Sequence, residues 1–275
     1  PMIAEGARRY GATIHQQCAA RGMDITNGKV EAVITEKGTI RTQRVLCAAG
    51  AWASTFCSHH GIRFPQASVR QTAFRSKPIE NIGEAIYTSG VALTRRLDGS
   101  YTVALSGTAL LEFTPQGIRF AKEFMPMFMK RIKAVQVNLG SSFFKGPEAI
   151  NRWKNTGPSP MEAMRILNPD PHGKNIKQTL HAVRTLFPAL KDIEIAESWG
   201  SYVDCTPDAV PVMSAVDDVE GFYLAAGCSG HGFGLGPGLA KVAADLVVNN
   251  TPLIDATPFN LSRLNDGSKI EVGAI

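Results

Sequence analysis

The stretch "GFYLAAGCSGHGFGLGPGLAKVAADLVVNN", Gly221 to Asn250, constrains the fold more than any other part of the sequence. An apolar β-type run, Phe222 to Ala226, enters a segment with glycine at 227, 230, 232, 234, 236 and 238. A helical pattern follows over Gly238 to Val248, with Leu239, Val242, Ala243, Leu246 and Val247 on one face. Glycine costs backbone entropy and is kept where the chain turns sharply or where something comes close to it. Strand, glycine turn and helix is the layout that holds anions and dinucleotides at a helix N-terminus. The strict signatures nevertheless fail. Gly230-x-Gly232 is followed by Leu235 where GxGxxG requires glycine, and Gly238 leads into "LAK" rather than the Lys-Ser or Lys-Thr of a P-loop. The motif alone therefore leaves two readings, a ligand cradle or an ordinary glycine-rich connection.

A second strand end carries the same mark. From Gly28 to Ser54 the sequence gives three short β segments, with turns at Asn27-Gly28 and Lys37-Gly38. The last, Arg44 to Ala49, is a continuous apolar run of the kind buried on both faces. It ends in "AAGAWAS", where Ala49, Gly50 and Trp52 leave room for another group, and ligands of open α/β sheets sit at such carboxyl ends. From Ala67 the texture changes to alternating, antiparallel-type strands with a hairpin at Asp98-Gly99. A helix over Pro115 to Val137, a polar linker from Lys154 to Lys174, a helix over Asn175 to Phe187 and a strand over Ile193 to Asp204 complete this part. The α/β texture then returns. The expected organisation is one α/β domain made of residues 1–66 and 206–275, interrupted by an α+β antiparallel-sheet lobe of residues 67–205. The opening "PMIAEGARRYGATIHQQ" reads as a helix, Met2 to Tyr10, running into a strand at Ala12 to Gln16. A domain that begins on its second half reads as N-terminally truncated.

With 275 residues, 44% of them hydrophobic, the chain can bury a sizeable core, and 19% charged residues argue against disorder. The formal charge of +5 is scattered, and its one dense cluster, Lys130 to Lys133, reads as a solvated helix face rather than a nucleic-acid contact. No apolar run reaches the roughly 18 residues of a membrane helix. Five cysteines without a CxxC pair suit a reducing compartment and exclude a standard structural zinc site; no metal site is expected. "FCSHH", Phe56 to His60, reads as an exposed polar turn rather than as ligands. The composition points to a cytoplasmic location, or a peripheral one at the inner face of a membrane.

Several segments in order, "GARRYGATI", "IRTQRVLCAAGAWAS", "WGSYVDCTPDAVPV", the glycine turn with its helix, and the final "TPFNLSRLNDGS", resemble the D-amino-acid oxidase family of FAD-dependent amine oxidoreductases. The resemblance spans nearly the whole chain. It implies a glutathione-reductase-like Rossmann α/β domain for FAD whose N-terminal GxGxxG unit is absent here, interrupted by the substrate lobe. It implies oxidation of the CH–NH bond of an amino acid or secondary amine by hydride transfer to the flavin, in the manner of a D-amino-acid dehydrogenase. It also leaves open a flavin-carrying subunit of an opine-, proline- or sarcosine-type dehydrogenase with an electron-acceptor partner. A phosphate- or nucleotide-binding module without redox chemistry is the reading from another class.

The resemblance places Ala20, Ala49, Gly50, Trp52, Gly230, His231, Gly232, Phe233, Gly234, Leu235 and Gly236 around FAD. His231 is then the candidate for stabilising charge in catalysis, or else a loop residue bonded to backbone. Phe233 and Leu235 wall the substrate pocket or pack under the turn. Of Trp199 and Tyr202, on opposite faces of their strand, one is core and the other, here Tyr202, faces substrate. The family's glycine oxidases place carboxylate-binding arginines where this chain has Val203 and Phe233, and the cysteine that tethers flavin in monomeric sarcosine oxidases aligns with Ser201. Glycine oxidase is thus disfavoured and the flavin is expected to be non-covalent. Arg70 or Tyr87 is left to anchor a substrate carboxylate.

Overall fold

The structure is a computed structural model of the chain and describes residues 2–273. Helix α1 (Met2–Arg9) leads to a meander of β1 (Ala20–Thr26), β2 (Lys29–Thr35) and β3 (Gly38–Arg41). Asn27 and Gly28, with φ of 50° and 76°, make the tight turn between the first two strands. The expected strand at Ala12 to Gln16 does not form. Those residues are exposed and pair with no strand among the described residues, whereas Ala20–Thr26 pairs along β2 and buries Met23.

Strand β4 (Val45–Cys47) is shorter than its apolar run. The chain then makes a 3-10 turn, Gly50–Trp52, and enters helix α2 (Ala53–His59). The exposed turn expected at Phe56 to His60 is instead the end of a buried helix: Phe56 and Cys57 belong to the core. His60 Nε2 accepts the Met23 N–H at 3.0 Å, and His59 stacks on Trp153 with ring centroids 3.9 Å apart. Burial and the adjacent His59 push the His60 imidazole down to about 4.

The next strands build a mixed sheet. They are β5 (Ala67–Ser76), β6 (Ala85–Tyr87), β7 (Val91–Arg95), β8 (Tyr101–Leu105), β9 (Ala109–Glu112), β10 (Val135–Asn138) and β11 (Ile195–Cys205). Strands β5 and β11 run antiparallel side by side, from Ala67 opposite Cys205 to Ser76 opposite Ile195. The single helix expected over Pro115 to Val137 is broken into α3 (Pro115–Arg119), capped by the Thr114 hydroxyl, and α4 (Ala121–Arg131). Its last residues form β10 instead, because the alternating "VQVN" finds a parallel partner in β9. A short α5 (Pro160–Ala163) with a Ser159–Glu162 capping box interrupts the polar linker. Helix α6 (Gly173–Leu186) covers one face of the sheet, where Phe74, Val91, Leu93, Tyr101 and Val103 pack with Val183, Leu190 and Ile193. On the other face, Val69, Gln71, Ala73, Ala92, Ala104, Trp199, Ser201 and Val203 are only half-buried.

The chain returns through β12 (Val212–Ala215) and β13 (Phe222–Ala226) to α7 (Gly232–Val247), which begins six residues before the helix expected from the sequence. Strand β13 pairs antiparallel with β12 and parallel with β4, although some 175 residues separate β4 from β13. Phe222, Leu224, Ala226 and Val212 join Phe56, Phe64 and Leu261 in the core beneath. The end of the described chain is tied back by Arg263, whose guanidinium lies 2.7 Å from Asp208 Oδ2. Among the described residues no helix is long and apolar enough to cross a membrane.

Candidate functional site

Parallel pairing of Phe222 with Val45 and of Leu224 with Cys47 brings the two glycine-marked strand ends to the same edge. At the first, Ala49 precedes the 3-10 turn, Gly50 has φ +54°, and Trp52 is buried behind it. At the second, the left-handed positions are Gly227 (φ +75°), Ser229 (φ 50°) and Gly230 (φ +90°). A Cβ on Gly227 would run into the Thr206 side chain, so glycine is required there by both φ and space. Gly232, Gly234 and Gly236 are not turn residues, because α7 has already begun at Gly232. A Cβ on Gly232 would crowd Cys228, but one on Gly234, Gly236 or Gly238 would meet nothing within 4 Å. The first turns of α7 thus present bare backbone to open space. His231 sits at the N-cap without a side-chain capping bond; Phe233 is fully exposed and Leu235 half-exposed.

The sequence-derived substrate residues do not share one site: Arg70 and Tyr202 lie together, whereas Tyr87 and Phe233 stand on other elements. Strand alternation puts Arg70 and Tyr202, which are paired across β5 and β11, on the face opposite Val69 and Val203. Arg70 Nη1 lies 2.7 Å from Glu112 Oε1 and its Nη2 donates to the Asp170 carbonyl. The Tyr202 hydroxyl is 3.0 Å from Ser142 Oγ, which itself donates to Glu112. Arg70, an expected carboxylate anchor, and Tyr202, expected to face substrate, are therefore both engaged within the protein, and Val203, on the other face, lies beside Gly230. Tyr87 is exposed at the far strand of the sheet, opposite Ala92. Ala20 starts β1 and packs on the core around Phe222.

Beside this cluster Glu148 is buried. It accepts from the Thr114 hydroxyl at 2.9 Å and from the Ser68 amide, yet burial pushes its carboxyl up to about 7. A carboxyl raised in the folded state keeps its proton when the unfolded chain has lost it. Its stabilising contribution is full below about pH 4.5 and is lost as pH rises to about 7. His60 acts with the opposite sign: held neutral, it contributes above pH 6.5 and the contribution is lost as pH falls toward 4. Denaturant titrations from pH 4 to 8 should show the Glu148→Gln variant losing the decline on the alkaline side while keeping the acid limb. An unchanged alkaline decline would assign it to another group.

Two residues at the site carry no sequence signal. Gln66, fully buried, donates from Nε2 to the Gly50 carbonyl at 2.9 Å and accepts the Ser54 N–H at 3.0 Å. Asp204 Oδ2 accepts the Gly227 N–H at 2.7 Å, and burial pushes its carboxyl upward. Nothing marks either one before strands are placed, since a lone Gln before a strand and an Asp inside one are ordinary. Among the described residues no cluster of three or more His, Cys, Asp or Glu could hold a metal.

A short sheet ending in two glycine turns and a bare helix N-terminus, with a larger sheet that keeps one face open, is an α/β arrangement suited to a flat ligand. The sequence profile of the FAD dependent oxidoreductase family, DAO, matches residues 1–246, and the chain belongs to that family. The family is FAD-dependent and its members act on amino acids and amines. The sarcosine oxidase subunit beta of Rhizobium meliloti is 23% identical, over 98% of this chain and 52% of that protein. A D-amino acid dehydrogenase of Neisseria gonorrhoeae is 24% identical over 96% of this chain and 53% of its own length. The L-amino acid deaminase of Proteus myxofaciens, solved with anthranilate, superposes with a TM-score of 0.87 at 28% identity, covering 96% of this chain and 59% of that one. L-proline dehydrogenase from P. horikoshii shares the fold, with a TM-score of 0.71 at 21% identity. The chain thus spans a little over half the length of these proteins.

Proposed function

We propose that the chain supplies the flavin-ring side and the facing substrate surface of an enzyme that oxidises the CH–NH bond of an amino acid or secondary amine, with a D-amino-acid dehydrogenase-like donor. One observation carries this reading. Two glycine-marked turns open on one edge, and there α7 begins with Gly234, Gly236 and Gly238 bare toward open space. Each glycine within a helix costs about 1 kcal/mol relative to alanine. Gly236 precedes Pro237, where helical backbone disfavours a Cβ. No neighbouring atom among the described residues comes near a Cβ at Gly234 or Gly238, and a flat group coming down on the backbone is the physical reason for these two. The fit to FAD follows from the donors present. The amides that open α7, with the helix dipole, favour negative charge at a ring edge by roughly 0.3–2 kcal/mol. FAD, when bound, supplies the hydride acceptor.

In this reading residues 1–66 and 206–275 form the FAD-binding unit and residues 67–205 the substrate lobe. Gly230, Gly232, Gly234 and Gly236 hold the ring's edge, Ala49, Gly50 and Trp52 flank it, and His231 stands at the helix N-terminus to stabilise charge. Phe233 and Leu235, exposed here, wall the pocket. The open sheet face with Val69, Gln71, Ser201 and Val203 forms its roof, which moves substrate contact away from Arg70 and Tyr202. The relative named as a subunit of sarcosine oxidase favours a second reading, in which this flavin serves a larger complex; stoichiometric co-purification of a partner distinguishes it.

The test is anaerobic reduction of the intact protein across a panel of D-amino acids, L-amino acids and secondary amines. Bleaching of the flavin by one class is expected, and no bleaching by any of them would remove the oxidoreductase reading. Residues 1–275 alone are expected to take up FAD weakly, because no phosphate-binding GxGxxG occurs among them. Stoichiometric yellow protein from this chain alone would show that it already contains the pyrophosphate contacts.

A further inference from the structure

We propose that Asp204 and Gln66 are positioning residues that lock the two glycine turns to each other, and so set the FAD site, an inference that rests on the flavin reading above. The network is continuous. Gln66 Nε2 holds the Gly50 carbonyl at 2.9 Å and reaches Asp204 Oδ2 at 3.5 Å, and that same oxygen takes the Gly227 N–H at 2.7 Å. The amide oxygen of Gln66 meanwhile fixes the Ser54 N–H at the start of α2. The Asp204 main chain continues the hold, accepting the Ser229 N–H at 2.8 Å, while Ser229 Oγ donates to the Gly227 carbonyl at 3.1 Å.

Strands β4 and β13 alone fix the turns only to within the freedom of two loops. Gly227, with φ +75° and its Cβ space filled by Thr206, can follow only a narrow path, and the Asp204 carboxylate pins the amide on that path. A fully buried Gln whose oxygen and nitrogen are both paired specifies one arrangement, because any other leaves a buried polar atom without a partner. The two side chains, 138 positions apart in sequence, come together where paired strands β5 and β11 reach the glycine turns. Neither contacts the bare face of α7, so their effect on FAD runs through Gly50 and Gly227.

The experiment uses the intact protein, stripped of FAD and titrated with FAD by flavin fluorescence, with the absorbance band shape of the bound flavin and apoprotein melting as further readouts. Asp204→Ala is expected to weaken FAD binding by about tenfold or more and to alter the band shape. Asp204→Asn, whose side-chain oxygen still accepts the Gly227 N–H, should bind within about threefold of wild type. Gln66→Leu combined with Asp204→Ala should weaken binding by less than the product of the single effects, as residues of one network do. Wild-type affinity and band shape in Asp204→Ala, or independent effects in the double variant, would overturn the lock and leave the flavin reading intact. If Asp204→Ala fails to fold, Asp204→Asn decides: a loss beyond about tenfold in a folded Asn variant overturns the lock. A wild-type protein that takes up no FAD overturns both.

Discussion

Replacing Arg70 by methionine is expected to lower the unfolding free energy by about 3–5 kcal/mol, the cost of breaking a buried ion pair from one side. Arg70 is 15% exposed and Glu112 4%, with 2.7 Å between Nη1 and Oε1. Methionine keeps most of the stem's packing but leaves Glu112 with only the Ser142 and Tyr202 hydroxyls to face its charge, in a pocket that also holds Glu148. The double variant Arg70→Met/Glu112→Gln removes both charges and should recover most of the loss. Urea unfolding at neutral pH measures the stability, and the KM of a carboxylate-bearing amine in the intact protein measures the alternative. A change of stability within about 0.5 kcal/mol together with a large rise in KM would restore Arg70 to the substrate-binding role read from the sequence.

Gly234 should separate stability from cofactor binding by giving them opposite signs. Alanine there meets no atom within 4 Å and replaces glycine within a helix, so the chain should gain about 0.5–1 kcal/mol. If a flat ring rests on that backbone, the same methyl, and more so the branched side chain of Gly234→Val, stands in its way. FAD affinity in the intact protein should then fall by about tenfold or more, and the rate of flavin reduction by the best amine should fall with it. Thermal unfolding of the apoprotein and FAD titration of the same samples give both numbers. A stabilised variant with wild-type occupancy and reduction rate would mean that the first turns of α7 face solvent in the working protein.

Much of the organisation is legible in the sequence itself. Hairpin residues at Asn27-Gly28 and Asp98-Gly99 are local signals, since a φ above zero at a tight turn selects Asn and Gly whatever surrounds it. The apolar run into Gly227 and the amphipathic α7 were likewise readable, because periodicity is a property of the chain alone. Boundaries failed where a neighbour decided them. Val135–Asn138 became a strand because β9 offered a parallel edge, and Ala12 to Gln16 did not, since among the described residues it pairs with no strand. Helix α7 begins earlier than its periodicity indicates because Gly232, Gly234 and Gly236 read as loop in sequence, and their backbone geometry is helical.

By itself, then, the sequence determined that two strands end in glycine turns, that mostly antiparallel strands lie between them in sequence, and that the whole resembles one flavoprotein family. Tertiary structure alone decided that β4 and β13 are neighbours and that Gln66 and Asp204 tie their turns. It also decided that Arg70 faces Glu112 rather than the open face of the sheet. The reason is the range of the forces involved. Turn chemistry and periodicity act within a few residues, but which side of β5 holds a buried carboxylate depends on strands β9 and β11 and on the segment around Glu148, and these meet β5 only after the chain has folded.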